Sequence, residues 1–539
     1  MTAELSRRAV VGGAAGLALL CGCDGQAMGG VAPFPGTLGG ANASRGHRLR
    51  KGDFPAVAGP ERQLPLIIAG GGVAGLAAAW RLKEAGYHDF ELLELEDSTG
   101  GNARSGRNAI SAYPLGAHYL PVPNQEARAL RHMLAQFGII TGEQDGAPVY
   151  DSFQLCADLE ERLFWRGQWQ EGLVPASGLS AADKADLAAF DAAMAGFRTA
   201  IGNDGRPAFA SPMALSSSDP RFTALDGQSF ADWLEVQGWR SPVLRAHVRY
   251  CCRDDYGTEP EDLSAWAGVH YFAGRRGWAA NGDGDRELTW PEGNGRLVRL
   301  MAARCRPAIR TGQSVFRAVR DGDTAMLDVH DAASGQSRRI RAQAAILAMP
   351  LFVAARVAPG TPIEGLSYAP WVVAAVSVSR HPGGPGAPLA WDNVSTASPS
   401  LGYVVATHQS QSAAEGPTVL SWYMALSDLP PKDARKLLLT RTLADWQRII
   451  RDDILRLNPD LDGAITRIDV WRWGHAMARP EPGFLTLPAR LAAVDAAPPL
   501  LHAHADLSGL SLFEEAHHRG VLAAEAAMRH LGHKFESLA

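Results

Sequence analysis

Polarity changes sharply along residues 66 to 95. An apolar run from Leu66 to Ala69 breaks into glycines at 70, 72 and 75, and an Ala-rich stretch with helical spacing then runs to a stop at Gly86. A second apolar run, Phe90 to Leu95, carries Glu94, nineteen residues beyond Gly75. The order predicts strand, tight turn, helix and strand. Further on, residues 151 to 175 alternate like a hairpin with an aromatic-rich turn. Residues 181 to 200 have helical apolar spacing, and 437 to 457 have it more clearly. Residues 24 to 62 are rich in Gly, Pro and Ala, show no apolar period, and are predicted to be a flexible tether.

Gly70, Gly72 and Gly75 stand at GxGxxG spacing between the first strand and its helix, and Glu94 ends the second strand. This is a dinucleotide-binding fingerprint in its required context. The glycines let the backbone turn and approach a pyrophosphate, whose charge meets the free N–H groups of the helix start, where Val73 and Ala74 stand. Glu94 is placed to accept hydrogen bonds from a ribose.

The glycine pair Gly100-Gly101 follows Glu94, with Asn102 and Arg104 next and GAHYL at 116 to 120. In this order the chain resembles the flavin-containing amine oxidase superfamily, which includes protoporphyrinogen oxidases and phytoene-desaturase-like enzymes. The resemblance implies an α/β fold: a Rossmann-type FAD-binding domain with an interleaved α+β substrate-binding domain. It implies that Gly100, Gly101 and Arg104 contact the FAD pyrophosphate, although Asn102 stands where the family usually has the arginine. SVFRAV (314 to 319) and AAILAMP (344 to 350) look like two strands of that domain, with Val315 holding the adenine end through its backbone. WPEGNGRLVRLM (290 to 301) looks like the family's turn and helix leading into the first of them. The stretch from 502 to 527 looks like the closing FAD motif. There Asp506 is the implied acid, and Glu515-Ala516 opens a helix where relatives have Gly-Ala. The same resemblance places the FAD-binding domain at 63–145, 286–365 and 480–539, and the substrate-binding domain at 146–285 and 366–479.

The active site is less marked. VWRWGHAMARPEPGF (470 to 484) precedes the closing motif, and Trp471, Trp473 and His475 are candidates for a wall facing the flavin. Gly116 and His118, in GAHYL, fall where relatives bring a loop to the ring. The pair Asp254-Asp255 is placed in a loop and could attract a cationic amine. Many relatives carry a lysine that aids reaction with oxygen, after a strand that here reads YAPWVVAAVSVSR (368 to 380). The six lysines are at 51, 83, 184, 432, 436 and 534, none at that place. A quinone or a periplasmic carrier is therefore an expected electron acceptor. No cysteine follows Cys305, so the resemblance implies FAD held non-covalently.

Arg7-Arg8, an apolar run to Leu20 and then Cys21-Gly22-Cys23 read as an export signal too short to span a bilayer. The arginine pair resembles a twin-arginine signal and the cysteine end a lipobox, giving residues 1–23 as signal and Cys23 as a lipid anchor on the periplasmic side of a bacterial membrane. The net charge of −5 gives no reason to expect nucleic acid as a partner. Cys156, Cys251, Cys252 and Cys305 lack metal-like spacing and read as buried small residues. The chain thus reads as an exported FAD-dependent oxidoreductase passing hydride from a small-molecule substrate, an amine or an unsaturated hydrophobic compound, to flavin N5. The alternatives are a NAD-dependent dehydrogenase and a non-catalytic flavin-holding lipoprotein scaffold.

Overall fold

The structure is a computed structural model that describes residues 32–539 except 283 and 411–414. The twin-arginine and lipobox segment, with its anchor at Cys23, lies outside the described residues.

Leu66, Ile67, Ile68 and Ala69 are fully buried. The strand they close, Arg62–Ala69, lies inside a parallel sheet with both faces covered, so its core half is apolar without alternation. Phe90–Leu93 pairs with it on one side and Ser337–Leu347 on the other, both in parallel. Ile309–Arg310 and Leu500–His502 extend the parallel arrangement, and the antiparallel strands Thr324–Asp331 and Gln313–Asp321 complete the sheet. Between the first two strands runs the helix Val73–Glu84, as the glycine spacing predicts. The C-terminal helix Phe513–His530 lies against it. A Cβ on Gly520 would fall 2.2 Å from the Ala74 carbonyl, so only glycine permits this approach. Arg81 and Glu525 form an ion pair at 2.9 Å across the same contact, 2% and 0% exposed.

The second sheet has eight strands. In spatial order they are Leu38–Gly40, Ile465–Ala478, Tyr368–Val378, Thr418–Ala425, Tyr403–Val405, Asp392–Val394, Glu161–Trp165 and Gln168–Glu171. One face packs on the helices Pro431–Thr440 and Leu443–Leu457 through Val372, Trp422, Trp446 and Ile450. The other face looks toward the first domain. Beside it the helices Ala181–Thr199, Phe230–Val236, Pro242–Tyr256 and Ala265–Ala273 share a separate core around Phe190, Phe230 and Trp266. Phe484 is buried in that core, so the chain just after 480 packs with the helices before it rejoins the first domain.

Three expectations need correction. Residues 32 to 62 are not a loose tether: Leu38–Gly40 pairs in parallel with the long strand Ile465–Ala478, and Ala43–Lys51 is a helix capped by Asn42 and ended by Gly52. Phe54 then stacks on Phe316 at 4.4 Å. Single contacts to distant strands order this segment, so it shows no period of its own. The apolar run 437–457 is two helices, because Thr442 forms a capping box with Asp445 and starts a new one. The second strand ends at Leu93, leaving Glu94 just beyond it. The hairpin (Glu161–Trp165 with Gln168–Glu171) and the helix Ala181–Thr199 form as the sequence predicts.

Candidate active site

At the carboxyl end of Arg62–Ala69 the chain turns through Gly70 at φ 117°, a conformation that favours glycine. A Cβ on Gly75 would lie 1.9 Å from the Gly70 carbonyl, so the helix can start this close to the turn only with glycine there. The helix start, at Val73 and Ala74, has no side-chain cap. Its N–H groups are left for an anion. Across from it, a Cβ on Gly101 would come within 3.3 Å of Gly72 Cα, and one on Gly72 would meet nothing nearer than Gly101 Cα at 3.9 Å. Gly72 and Gly101 are thus the bare walls of a groove at a helix N-terminus, a fit for a pyrophosphate.

The Glu94 carboxylate is buried and accepts the N–H of Gly71 at 2.6 Å and of Glu96 at 2.7 Å. Burial raises its pKa. Its remaining lone pairs are free for ribose hydroxyls. Val315 lies two residues after Gln313, whose N–H donates to the Glu94 carbonyl at 2.8 Å, so it stands near this end of the groove. Arg104 donates from Nε to the Gly101 carbonyl at 3.2 Å and lies over the rings of Trp471 and Trp473 at 5.3 and 5.5 Å. Gly100 precedes Gly101 at φ 124°.

A cleft begins at Asn102, the residue after Gly101. One end is walled by Asn102, Gly116, Ala476, Met477, Ser511 and Leu512, and the other by His118, Tyr119, Trp371, Tyr423, Asp254, Asp255 and Arg275. Asn102 holds Ala476 by donating from Nδ2 to its carbonyl at 2.5 Å. Gly116 packs on Asn102, where a Cβ would fall 2.1 Å from the Asn102 carbonyl. Trp473 reaches the cleft and donates to the Leu115 carbonyl at 2.6 Å. Its neighbour Trp471 stands behind it, against Arg104 and Gly39.

The cleft's charge sits at the far end. Asp254 and Asp255 are not in a loop, as the sequence suggested, but close the helix Pro242–Tyr256 and face inward. Arg275 binds Asp255 at 2.8 Å, while Asp254 has only the Tyr119 hydroxyl at 3.4 Å. Burial and its like-charged neighbour push Asp254 up to about 7. His118 packs against Tyr423 at 4.8 Å, and burial pushes it down to about 4, so it is neutral at physiological pH. Trp371 and Tyr423 lie nearly parallel, 6.4 Å apart. Glu514, in the first turn of the C-terminal helix, also lines the cleft and accepts the Ser211 hydroxyl at 3.1 Å.

Besides Trp471, the candidates His475, Asp506, Glu515 and Ala516 do not line this cleft. His475 stacks on Phe352 at 4.3 Å, outside the lining. It follows Trp473 on its strand, but the pairing with Tyr368–Val378 shifts register between Trp473 and Met477, which turns His475 to the Tyr368 side while Ala476 and Met477 stay in the cleft. Asp506 accepts the Leu351 N–H at 2.8 Å and the Tyr368 hydroxyl at 2.6 Å. Burial opposes its ionisation, yet His504 and these donors hold its carboxyl below the usual range. Glu515 points away and accepts the Met213 N–H at 2.5 Å, which places the side chain in the helical group, and burial pushes it up to about 7. Ala516, one residue on, is buried beside it. Sequence reasoning missed Tyr119, Arg275, Trp371, Tyr423 and Glu514. Tyr119, Trp371 and Glu514 stand inside stretches the sequence analysis singled out, but beside the residues chosen there, and Arg275 and Tyr423 carry no motif.

The family described as flavin containing amine oxidoreductase matches residues 73–461. A sequence search of curated proteins finds no match. Among solved structures, cyclohexylamine oxidase from Brevibacterium oxydans IH-35A is similar at TM-score 0.62 and 16% identity, over 88% of this chain and 100% of that one. Putrescine oxidase bound to putrescine is similar at 0.61 and 16%, over 86% and 99%. A fatty acid isomerase from P. acnes is similar at 0.57 and 14%, over 86% and 98%.

Proposed function

We propose, from the premise that this chain belongs to the flavin-containing amine oxidoreductase family, that it oxidises an amine with FAD held non-covalently in the groove between Gly72 and Gly101. The nicotinamide and scaffold readings give way to that family membership, which makes the protein a flavin-dependent oxidoreductase. One observation carries the choice of an amine over an unsaturated hydrophobic substrate. The cleft that Asn102 lines, next to Gly101, also holds Asp254, an acid that Arg275 leaves without an ion-pair partner among the described residues.

FAD held there would supply the two-electron oxidation of the carbon next to nitrogen, giving an imine that water hydrolyses to aldehyde and ammonia. The chain's own residues orient the amine. Asp254, ionised above about pH 7, attracts the ammonium, and Tyr119 steers both acids through its hydroxyl. Trp371, Tyr423 and His118 wall the cleft with rings and keep water out. A neutral His118 adds no positive charge to repel the substrate.

We further propose that the enzyme is exported by the twin-arginine route and anchored by a lipid at Cys23 on the periplasmic side. The sheet that carries the glycine turn joins strands from residues 62 to 502, which supports this, because FAD loading then requires a folded chain before export. No lysine lines the cleft, which supports a quinone or a periplasmic carrier as acceptor. The test of the main reading is anaerobic addition of amines to purified protein loaded with FAD. Bleaching of the flavin, with aldehyde and ammonia as products, is expected. A yellow protein that no amine bleaches would overturn the reading.

A further inference from the structure

Residues 38–54 touch the frame of the glycine groove at three places that the function above does not use. Gly39 is the ladder partner of Trp471 and lies against its indole, and the same indole carries the Arg104 guanidinium at 5.3 Å. The Asn42 N–H donates to Glu96 Oε1 at 2.7 Å, while Arg45 donates to the Leu95 carbonyl at 2.8 Å and pairs with Asp97 at 2.8 Å. Phe54 stacks on Phe316, the residue after Val315. The arm thus reaches the loop after Glu94, the ring that meets Arg104, and the strand of Val315.

We infer that this N-terminal arm is a positioning element of the cofactor site, which keeps Glu96 from neutralising Arg104. This rests on the reading of the groove as the seat of FAD. Glu96 and Arg104 are mostly enclosed, 19% and 11% exposed, yet their ion pair is long, at 3.6 Å. Two hydrogen bonds hold Glu96 where it is: Oε1 accepts the Asn42 N–H, and its own N–H donates to Glu94 Oε1 at 2.7 Å. Arg104 makes one hydrogen bond among the described residues, from Nε to the Gly101 carbonyl. Both its Nη groups are left for an anion in the groove.

Opposite charges this close and this enclosed attract one another strongly. A Glu96 carboxylate released by Asn42 would close on Arg104 and compete with a pyrophosphate for the same donors. Arg45 prevents the release by fastening the arm to Leu95 and Asp97, on either side of Glu96. Arm docking and FAD binding are then linked, each strengthening the other by the same factor. The helix Ala43–Lys51 makes the docking measurable, because Arg50 and Lys51 are exposed and trypsin cuts there only when the helix opens.

The experiment measures FAD affinity by quenching of flavin fluorescence in wild-type protein, Arg45→Ala, Glu96→Gln and the double variant. Arg45→Ala is expected to weaken FAD about tenfold. In the Glu96→Gln background, where no acid can close on Arg104, the same change is expected to cost less than twofold. An arm that merely stabilises the fold would lower the melting temperature of the FAD-free protein and leave this difference at zero. Unchanged affinity in folded Arg45→Ala, or equal losses in both backgrounds, would overturn the inference and leave the flavin reading standing. If Arg45→Ala fails to fold, trypsin decides on the wild type: FAD is expected to slow cleavage after Arg50 and Lys51 at least fivefold, and an unchanged rate would overturn the inference. A wild-type protein that binds no FAD would overturn both.

Discussion

A single guanidinium nitrogen, Nη2 of Arg275, donates to both oxygens of Asp255, at 2.9 and 2.8 Å. The pair is largely enclosed, with Arg275 15% and Asp255 3% exposed. Breaking one side leaves the other charge buried alone. Arg275→Met is therefore expected to destabilise the protein by about 3–5 kcal/mol. The double change with Asp255→Leu is expected to restore most of that. Guanidinium unfolding of both variants checks the pair. Equal losses in single and double variants would refute it.

The acid end of the cleft gives amine binding a pH dependence. Burial and the like-charged Asp255 raise Asp254 to about 7. Below that pH it is protonated and neutral, and above it a carboxylate. Affinity for a primary amine such as hexylamine should accordingly rise as pH increases from 6 to 8. Asp255, Arg275, Tyr119 and Glu161 all act on Asp254, so the rise is expected to be broad. Bleaching titrations at fixed ionic strength measure it, and an affinity that falls with pH would contradict the assignment.

Gly72→Asp adds a carboxylate where the groove is otherwise bare. Nothing in the folded chain stands within 3.9 Å of its new Cβ, so the fold is expected to survive. The charge and bulk then oppose a pyrophosphate, and flavin binding is expected to be lost. Absorbance at 450 nm against 280 nm, with circular dichroism, reads both. Full flavin in a folded variant would sink the groove assignment.

Gly39 lies flat against Trp471, where a Cβ would fall 2.5 Å from the indole. Gly39→Val is expected to push the strand Leu38–Gly40 off its partner and cost about 1–3 kcal/mol. Thermal unfolding and a shift in tryptophan emission report it. An unchanged melting temperature would mean that the edge strand is dispensable.

With no lysine lining the cleft, the reduced flavin is expected to pass electrons to a soluble quinone faster than to oxygen. Stopped-flow mixing of reduced enzyme with each acceptor decides. Faster reaction with oxygen would remove the argument for a separate acceptor.

The glycine groove was legible because its chemistry lies in one continuous stretch, from Gly70 to Arg104, where spacing alone defines the turn. The aromatic wall was half legible. Trp473 reaches the cleft, but Trp471 and His475, at alternate positions of one strand, have different neighbours, and alternation in sequence does not reveal a register shift such as the one between Trp473 and Met477. The acid end was not legible. Asp254 and Asp255 looked like loop residues because no pattern in a single sequence shows that the last turn of Pro242–Tyr256 is buried. Tyr119 and Arg275 reach that end from segments more than 100 residues apart. The N-terminal segment misled for the same reason, since its order comes from partners at 316 and 470 to 472.

That last pairing sets an order of events. Leu38–Gly40 leaves the ribosome early, whereas its partner, Ile465–Ala478, is made more than 400 residues later. The segment next to the paired arginines therefore cannot find its place until the chain is nearly complete. A truncated or misfolded product leaves that segment undocked, so the state of the N-terminus reports on whether the rest of the molecule was finished.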